Sequence, residues 1–236
     1  MSIRFPLLAR RTHKWLALVI GLQALIWTMS GLYMTAVHID IIHGDHFIRV
    51  SEPGPLTAGE LADPIAAAAS VPGGETVKLH HLLDRPVYIV TSKRGATLVD
   101  ARTGARLSPP SEAEITQLAT FWFTGTEPLE KLSLVTDLPG EVRGRKPPLW
   151  RAEFGGWNKP TLYFSPQTGE LVTRRHELWR IFDFVWMLHI MDYQERENVN
   201  NTLLRLFTWS AFLMAVSGAW LLLWSFPAKR RKARGG

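Results

Sequence analysis

The sequence predicts an α+β membrane protein in which two transmembrane helices flank a central α+β domain made of two repeats. Two long apolar runs without charge lie near the ends of the 236-residue chain, and basic residues flank each run on its terminal side. Between these runs, short β-branched and aromatic stretches alternate with turn residues, which is typical of strands joined by hairpin turns.

The two apolar runs cover residues 15–37 and 206–228, and each is 23 residues long without a charged residue or a histidine. About 20 such residues cross the hydrocarbon core of a bilayer. Neither run has the polar stripe that marks a water-soluble core helix. We therefore expect transmembrane helices at 15–37 and 205–228. The first is expected to be an uncleaved signal anchor, because its apolar run is too long for a cleaved signal peptide.

Charge predicts the orientation of these helices. The basic residues beside them are Arg4, Arg10, Arg11 and Lys14 before the first run, and Lys229, Arg230, Arg231, Lys232 and Arg234 after the second. Basic residues next to a transmembrane helix stay in the cytoplasm. We expect cytoplasmic segments at 1–14 and 229–236, which account for the net charge of +6 without a nucleic-acid partner. The absence of cysteine excludes disulfides and thiolate sites.

The central domain is expected at 38–175, with repeats at about 57–108 and 111–175 that each begin with a helix. The first helix would begin after Thr57 and the second would cover 111–121, with strands after each. The repeats end in similar turns, 65 residues apart: Thr103-Gly104 and Thr168-Gly169. Duplication of one unit explains this spacing. Two unrelated glycine turns between hairpin strands are the alternative.

An aromatic segment and a polar loop at 176–204 precede the second apolar run. The large residues of this segment recur at helical spacing: Trp179, Phe182, Val185, Trp186 and His189. This pattern predicts an amphipathic helix that lies at the membrane interface.

Three of the eight histidines lie at predicted membrane boundaries: His13, His38 and His189. An imidazole beside an apolar surface needs a partner, and the iron of a haem is one such partner. His13 and His38 are about 37 Å apart along a helix, so they would serve separate sites. His38 and His189 are both expected at the outer face and could share one haem. The alternative is interfacial histidines that hydrogen-bond to water or lipid.

The sequence His43-Gly44-Asp45-His46 indicates a second kind of site. Its two imidazoles, together with the carboxylates of Asp40 and Asp45, are ligands that could bind iron or another metal ion weakly. The alternative is a polar turn without a ligand.

Several of these motifs resemble the PepSY-associated transmembrane helix family. The resemblance is carried by Arg11-Thr12-His13-Lys14-Trp15 and its continuation to Gln23, by Trp27 with Ser30-Gly31, by His43-Gly44-Asp45-His46, and by Leu188-His189. The helix-and-strand units with Thr-Gly turns resemble PepSY domains. The resemblance covers nearly the whole chain.

This resemblance implies a protein of the bacterial inner membrane that binds haem b and reduces ferric iron or a ferric siderophore. The central domain would be a periplasmic PepSY-like domain, and the haem ligands would be His13 and His189. Larger relatives have four transmembrane helices, so a chain with two is expected to form a homodimer that builds the haem-binding bundle.

A reductase also needs a source of electrons. The chain has no glycine-rich dinucleotide fingerprint, and its predicted cytoplasmic segments are too short to bind NADPH or flavin. We expect membrane quinol or a separate electron-donor protein to supply the electrons. The alternative function is a non-catalytic, membrane-anchored binding or inhibitory module, or an accessory subunit of a transporter. That alternative explains the topology but not the histidines at the helix ends.

Overall fold

The computed structural model describes residues 5–50, 60–83 and 85–225. The helices in this part of the chain are α1 Phe5–Ala36, α2 Ile39–His43, α3 Pro64–Ser70, α4 Glu112–Trp122, α5 Glu177–Ile190 and α6 Thr202–Ser225. The strands are β1 Gly74–Leu82, β2 Arg85–Ser92, β3 Gly95–Asp100, β4 Leu129–Val135, β5 Leu149–Phe154, β6 Thr161–Phe164 and β7 Leu171–Arg175. The chain divides into a helical unit of residues 1–36 with 182–236, and a sheet unit of residues 37–181.

Helix α1 is the apolar helix that the sequence predicts near the N-terminus. Its segment Ala17–Ala36, 20 residues long, is the one helix in the described ranges that is long and apolar enough to cross a membrane. Leu18, Leu22 and Leu32 on this helix are 60%, 61% and 68% exposed. The core helix of a soluble protein buries such side chains. Helix α1 is therefore consistent with a membrane anchor or a signal sequence.

Helix α6 supports the second predicted span only in part. Its described apolar stretch, Thr202–Val216, is shorter than a membrane crossing. Trp209, Phe212 and Leu213 on this stretch are more than half exposed. The predicted span of 205–228 continues into residues 226–228, which lie outside the described ranges. The described residues thus contain one candidate span instead of the two that the sequence predicts.

The sheet unit contains two antiparallel sheets, which confirms the predicted α+β class. The first sheet has the order β1-β2-β3 and the second has the order β4-β5-β6-β7. Neighbours in the chain are neighbours in each sheet, and the longest connection within a sheet is the one between β4 and β5, at residues 136–148. In the first sheet Ser92 pairs with Gly95, which places Lys93 and Arg94 at the tip of the hairpin.

One hydrophobic core is shared by helix α4 and one face of each sheet. Side chains alternate between the two faces of a strand. In β2, Val87 and Ile89 lie in the shared core, whereas Tyr88 and Val90 pack with helix α3 on the other face. In the second sheet, Phe164 is fully buried in the same shared core. The first sheet therefore lies between α3 and the shared core.

Helix α4 begins where the sequence predicts. The Ser111 hydroxyl accepts the N–H of Glu114, and the Glu114 carboxylate accepts the N–H of Ser111. This reciprocal pair satisfies two N–H groups that the first turn of a helix leaves without partners. The prediction of a helix at 111–121 is confirmed within one residue.

Helix α3 begins later than predicted. It starts at Pro64, and residues 60–62 before it are not α-helical. Asp63 Oδ1 accepts the N–H of Ile65 and the proline ring fixes the first helical residue, so the helix starts at this point. The predicted start after Thr57 falls at residues 57–59, which lie outside the described ranges.

Strand β4 is an element that the sequence patterns did not predict. Its seven residues include one β-branched side chain, Val135, and no strong alternation of apolar and polar residues. Its strand conformation is set by pairing with β5, where Leu134 lies opposite Trp150 and Val135 opposite Leu149. Neighbouring strands frequently override such weak local preference.

The two Thr-Gly turns have the same geometry. The N–H of Gly104 donates to the carbonyl of Asp100 at 2.9 Å, and the N–H of Gly169 donates to the carbonyl of Ser165 at 2.8 Å. In each turn the side chain of Asp100 or Ser165 also accepts the N–H of the threonine before the glycine. The φ angles of the two glycines are +71° and +70°. This likeness over 65 residues favours duplication of one unit.

Replacing these two glycines by alanine should have unequal effects. Both positions have φ near +70°, which strains any residue with a Cβ. A Cβ at Gly169 would lie 2.9 Å from side-chain carbons of Leu82 and Leu118, whereas a Cβ at Gly104 would meet only Ala62 at 3.7 Å. We expect Gly104→Ala to lower the free energy of unfolding by about 1 kcal/mol and Gly169→Ala by about 2–3 kcal/mol. Guanidinium unfolding of the full chain measures both, and equal losses would contradict the packing argument.

Candidate functional site

His189 is held by two hydrogen bonds to helix α1 within the helical unit. Its Nδ1 lies 2.7 Å from the hydroxyl of Ser30, and its carbonyl accepts the indole N–H of Trp27 at 2.8 Å. Trp27 and Ser30 are three residues apart and therefore lie on one face of α1. Ser30 is buried, with 5% of its surface exposed. The orientation of His189 is thus fixed at both its backbone and its ring.

The hydrogen bonds of Ser30 favour one tautomer of His189. The Ser30 hydroxyl has one proton to donate. Its oxygen lies 2.7 Å from the carbonyl oxygen of Ile26 and 3.0 Å from that of Trp27. The hydroxyl donates its proton to this pair and accepts from the Nδ1–H of His189. In this tautomer the lone pair is on Nε2. An imidazole that ligates a metal has this arrangement, with its other nitrogen bonded to a fixed partner.

The aromatic residues of α5 that predict an amphipathic helix form a row beside His189. The rings of Phe182 and Trp186 are 6.2 Å apart and nearly parallel, and those of Trp186 and His189 are 6.4 Å apart and nearly parallel. The Trp186 indole N–H donates to the carbonyl of Arg196, whose guanidinium pairs with Asp183. These contacts limit the freedom of the ring that precedes His189 in the row.

The loop after α5 is ordered by two side chains. Asp192 accepts the N–H groups of four loop residues, Gln194, Glu195, Glu197 and Asn198. The bonds from Asn198 and its neighbours outweigh the effect of burial and lower the pKa of Asp192. Asn201 donates to the carbonyl of Ile190 and accepts the N–H of Leu204, so it joins the end of α5 to the start of α6.

Of the other two predicted haem ligands, one belongs to the sheet unit and the other has a side chain that the structure does not describe. The side chain of His13 lies outside the described part of the structure. His38 belongs to the sheet unit, where its Nδ1 accepts the N–H of Asp40 and caps helix α2. A haem shared by His38 and His189 therefore stays a prediction.

The predicted metal ligands lie close together in the chain but engage different partners. Asp45 pairs with the guanidinium of Arg174, and the ring of His46 packs against Phe47 at 4.0 Å. Asp40 lies beside His38. Among the residues that the structure describes, no group of three or more histidine, aspartate or glutamate side chains is placed to hold a metal ion. The site at Asp40, His43, Asp45 and His46 stays a prediction.

His176 is a buried histidine that the sequence analysis did not single out. It is 1% exposed, and its Nε2–H donates to the carbonyl of Ile42 at 3.0 Å. Its Nδ1 accepts the N–H of Trp179 at 3.4 Å, so both ring nitrogens are occupied. Burial, with His46 and Arg180 nearby, lowers its pKa to about 4. His176 is therefore a structural residue that joins the segment before the sheets to the start of α5.

An ion cluster that the sequence also did not reveal lies around Glu141. Its carboxylate accepts from Arg180 at 2.6 Å and from the hydroxyl of Tyr163 at 2.5 Å. Burial raises the pKa of Glu141, but the bonds from Arg180 and Tyr163 outweigh burial and the net pKa is lowered. Arg180 also pairs with Glu177. No regular spacing connects these residues in the sequence, because Glu141 comes from a loop and Arg180 from a helix.

Comparisons with protein-family models, with curated proteins and with solved structures gave no match. The resemblance to the PepSY-associated transmembrane helix family stays a prediction from the motifs.

The stability of the sheet unit should depend on pH through His176. A histidine whose pKa is lower in the folded state than its ordinary 6.5 stabilises the fold fully above pH 6.5. This contribution is lost as the pH falls through about 4. The melting temperature of the full chain should therefore fall between pH 6.5 and pH 4, and His176→Gln should flatten this dependence. His81→Gln, a histidine change on strand β1, is the control; a flattening of equal size in both variants would contradict the role of His176.

Proposed function

We propose that the protein is an inner-membrane b-haem protein that passes electrons across the membrane to reduce ferric iron or a ferric siderophore in the periplasm. The observation that carries this proposal is the placement of His189. Its ring is fixed by Ser30 and its backbone by Trp27, and the tautomer that Ser30 favours leaves on Nε2 the lone pair that an iron ligand needs.

The residues around His189 suit a haem in chemical character. A haem needs an axial imidazole, an apolar wall and little water. His189 supplies the imidazole, and Trp186 and Phe182 supply flat aromatic surfaces in the same row. When bound, haem b supplies a one-electron carrier. The chain supplies the axial nitrogen, its orientation and the apolar surroundings that tune the potential. His13, His38 or a second copy of His189 would provide further ligands.

The proposed topology extends the single described span to two. Residues 15–37 and 205–228 would cross the membrane with both termini in the cytoplasm, and the sheet unit would be a periplasmic PepSY-like domain. The exposed apolar side chains of α1 and α6 support contact with lipid, because water is a poor solvent for such surfaces. Two copies of the chain would supply four helices for a bundle around the haem.

The proposed reaction needs an electron donor in the membrane. One quinol can reduce two Fe(III) ions to Fe(II), and it becomes a quinone and releases two protons. A separate electron-donor protein is the other source. Ferric iron or its siderophore is the substrate, and iron uptake is the role that the reaction would serve.

The test is the visible spectrum of the detergent-purified chain expressed with added haem. We expect a Soret band, with separate α and β bands after reduction by dithionite. His189→Ala should abolish most haem binding. Ser30→Ala should weaken haem binding about tenfold, since loss of a residue that orients a ligand typically costs 10- to 100-fold in affinity. Haem titration followed by absorbance measures each value.

Thr28→Ala is the matched control for Ser30→Ala. The Thr28 hydroxyl bonds only to the carbonyl of Ala24 in its own helix and is exposed. Its removal should leave haem affinity unchanged. A colourless wild-type protein at full yield would overturn the proposal and favour the non-catalytic anchored module. Equal effects of the two variants would remove Ser30 as a positioning residue.

A further inference from the structure

A cleft with a volume of about 460 Å³ lies in the sheet unit beside the loop between β4 and β5. Arg145 and Lys146 form one wall, and the turn after β6 forms another with Pro166 and Gln167. Leu149 and Val172 provide an apolar part of the lining. Clefts of about 300–1,000 Å³ with an apolar lining and a few charged groups are typical of small-molecule sites.

Within residues 5–50, 60–83 and 85–225, the cations of this cleft have no anionic partner. In the part of the chain that the structure describes, the side chains of Arg145 and Lys146 make no ion pair or hydrogen bond. The described lining contains no aspartate or glutamate. By contrast, nearby arginines of the sheet unit are paired, as Arg180 is with Glu141 and Arg174 with Asp45. The positive charge of the cleft is therefore available to a ligand.

The backbone holds this charge in place. The loop that carries Arg145 and Lys146 is anchored by Val142 at one end and by Leu149 at the other, and both are buried. Gly95, in the hairpin tip of the first sheet, lines the opposite side. Lys93 and Arg94, which precede it, are exposed and add positive potential close by. A fixed group of cations on a concave surface concentrates anions.

We propose that this cleft binds a small organic anion that carries several carboxylate groups. Arg145 offers a planar set of N–H donors that matches a carboxylate, and Lys146 adds a point charge. The apolar lining suits the carbon skeleton of an organic acid better than it suits a bare inorganic anion. If the proposed reductase function holds, the natural ligand is an anionic carboxylate chelate of Fe(III), and the cleft is where the sheet unit receives the substrate.

The test uses the full chain in nanodiscs of zwitterionic lipid, with citrate and gallium(III) citrate as probes. Gallium(III) resembles Fe(III) in charge and ligand preference but is not reduced, so binding is measured apart from electron transfer. Isothermal titration calorimetry should show binding to the wild type. The double variant Arg145→Gln/Lys146→Gln should bind at least tenfold more weakly.

The matched control is Arg102→Gln/Lys131→Gln. It removes the same two positive charges at exposed positions that do not line the cleft, and it should retain wild-type affinity. An equal loss in both double variants would show only general charge attraction and would overturn the proposal. Absence of binding to the wild type would also overturn it.

Two further measurements distinguish this proposal from lipid binding and from the proposed reductase function. Anionic lipid presents phosphate groups of similar charge, so the titration is repeated in nanodiscs that contain phosphatidylglycerol. Abolition of citrate binding by that lipid would assign the cleft to lipid headgroups and overturn the proposal. His189→Ala should bind the probes like the wild type. If the wild type itself acquires no haem and still binds the probes, the proposed reductase function is overturned and the proposed anion site is not.

Discussion

The burial of one face of each sheet against helix α4 is the interaction on which the sheet unit depends. Leu98, Ile115, Leu118, Leu162 and Phe164 meet in this shared core, and each is 2% exposed or less. Because these residues come from both sheets and from α4, neither sheet buries its apolar face alone. The loop that carries Glu141, Arg145 and Lys146 is anchored by a separate cluster of buried residues, Val142, Leu149 and Tyr163.

The two most constrained histidines of the described chain show how environment sets the role of one residue type. The ring of His176 uses both nitrogens, one as a donor to Ile42 and one as an acceptor from Trp179. With respect to the described residues, the ring of His189 makes one hydrogen bond, between Nδ1 and Ser30. A histidine with both nitrogens occupied supports the fold, whereas one with a directed lone pair can bind a ligand.

The two sheets differ in the length of one connection. In the first sheet two residues separate β1 from β2, whereas in the second the chain between β4 and β5 covers residues 136–148. This longer connection contains Glu141, which binds Arg180, and the cations of the cleft. The two Thr-Gly turns also differ in their surroundings. A Cβ at Gly169 would meet Leu82 and Leu118 of the shared core, whereas a Cβ at Gly104 would meet Ala62. The longer loop of the second sheet thus supplies these charges.

Local patterns in the sequence determined most of the helices and strands. The capping box at Ser111, the aromatic spacing of α5 and the uncharged run of α1 each act over a few turns, so they can be read without knowledge of the fold. The start of α3 and the existence of strand β4 were not predictable in this way. Asp63 is one of several nearby polar residues that could cap the start of α3, so the sequence does not single it out. Strand β4 depends on pairing with β5, which lies later in the chain.

The sequence by itself identified His189 as a residue of interest but gave no indication of its partners. Ser30 and His189 are 159 residues apart, and only the packing of helices brings a hydroxyl to an imidazole nitrogen over that separation. Packing also brings Glu141 to Arg180, and it brings together the loop and the turn that line the cleft. Whether a segment is a helix or a strand follows from periodicity along the chain. A site instead requires side chains from distant segments to meet. The packing of the folded chain decides which side chains meet.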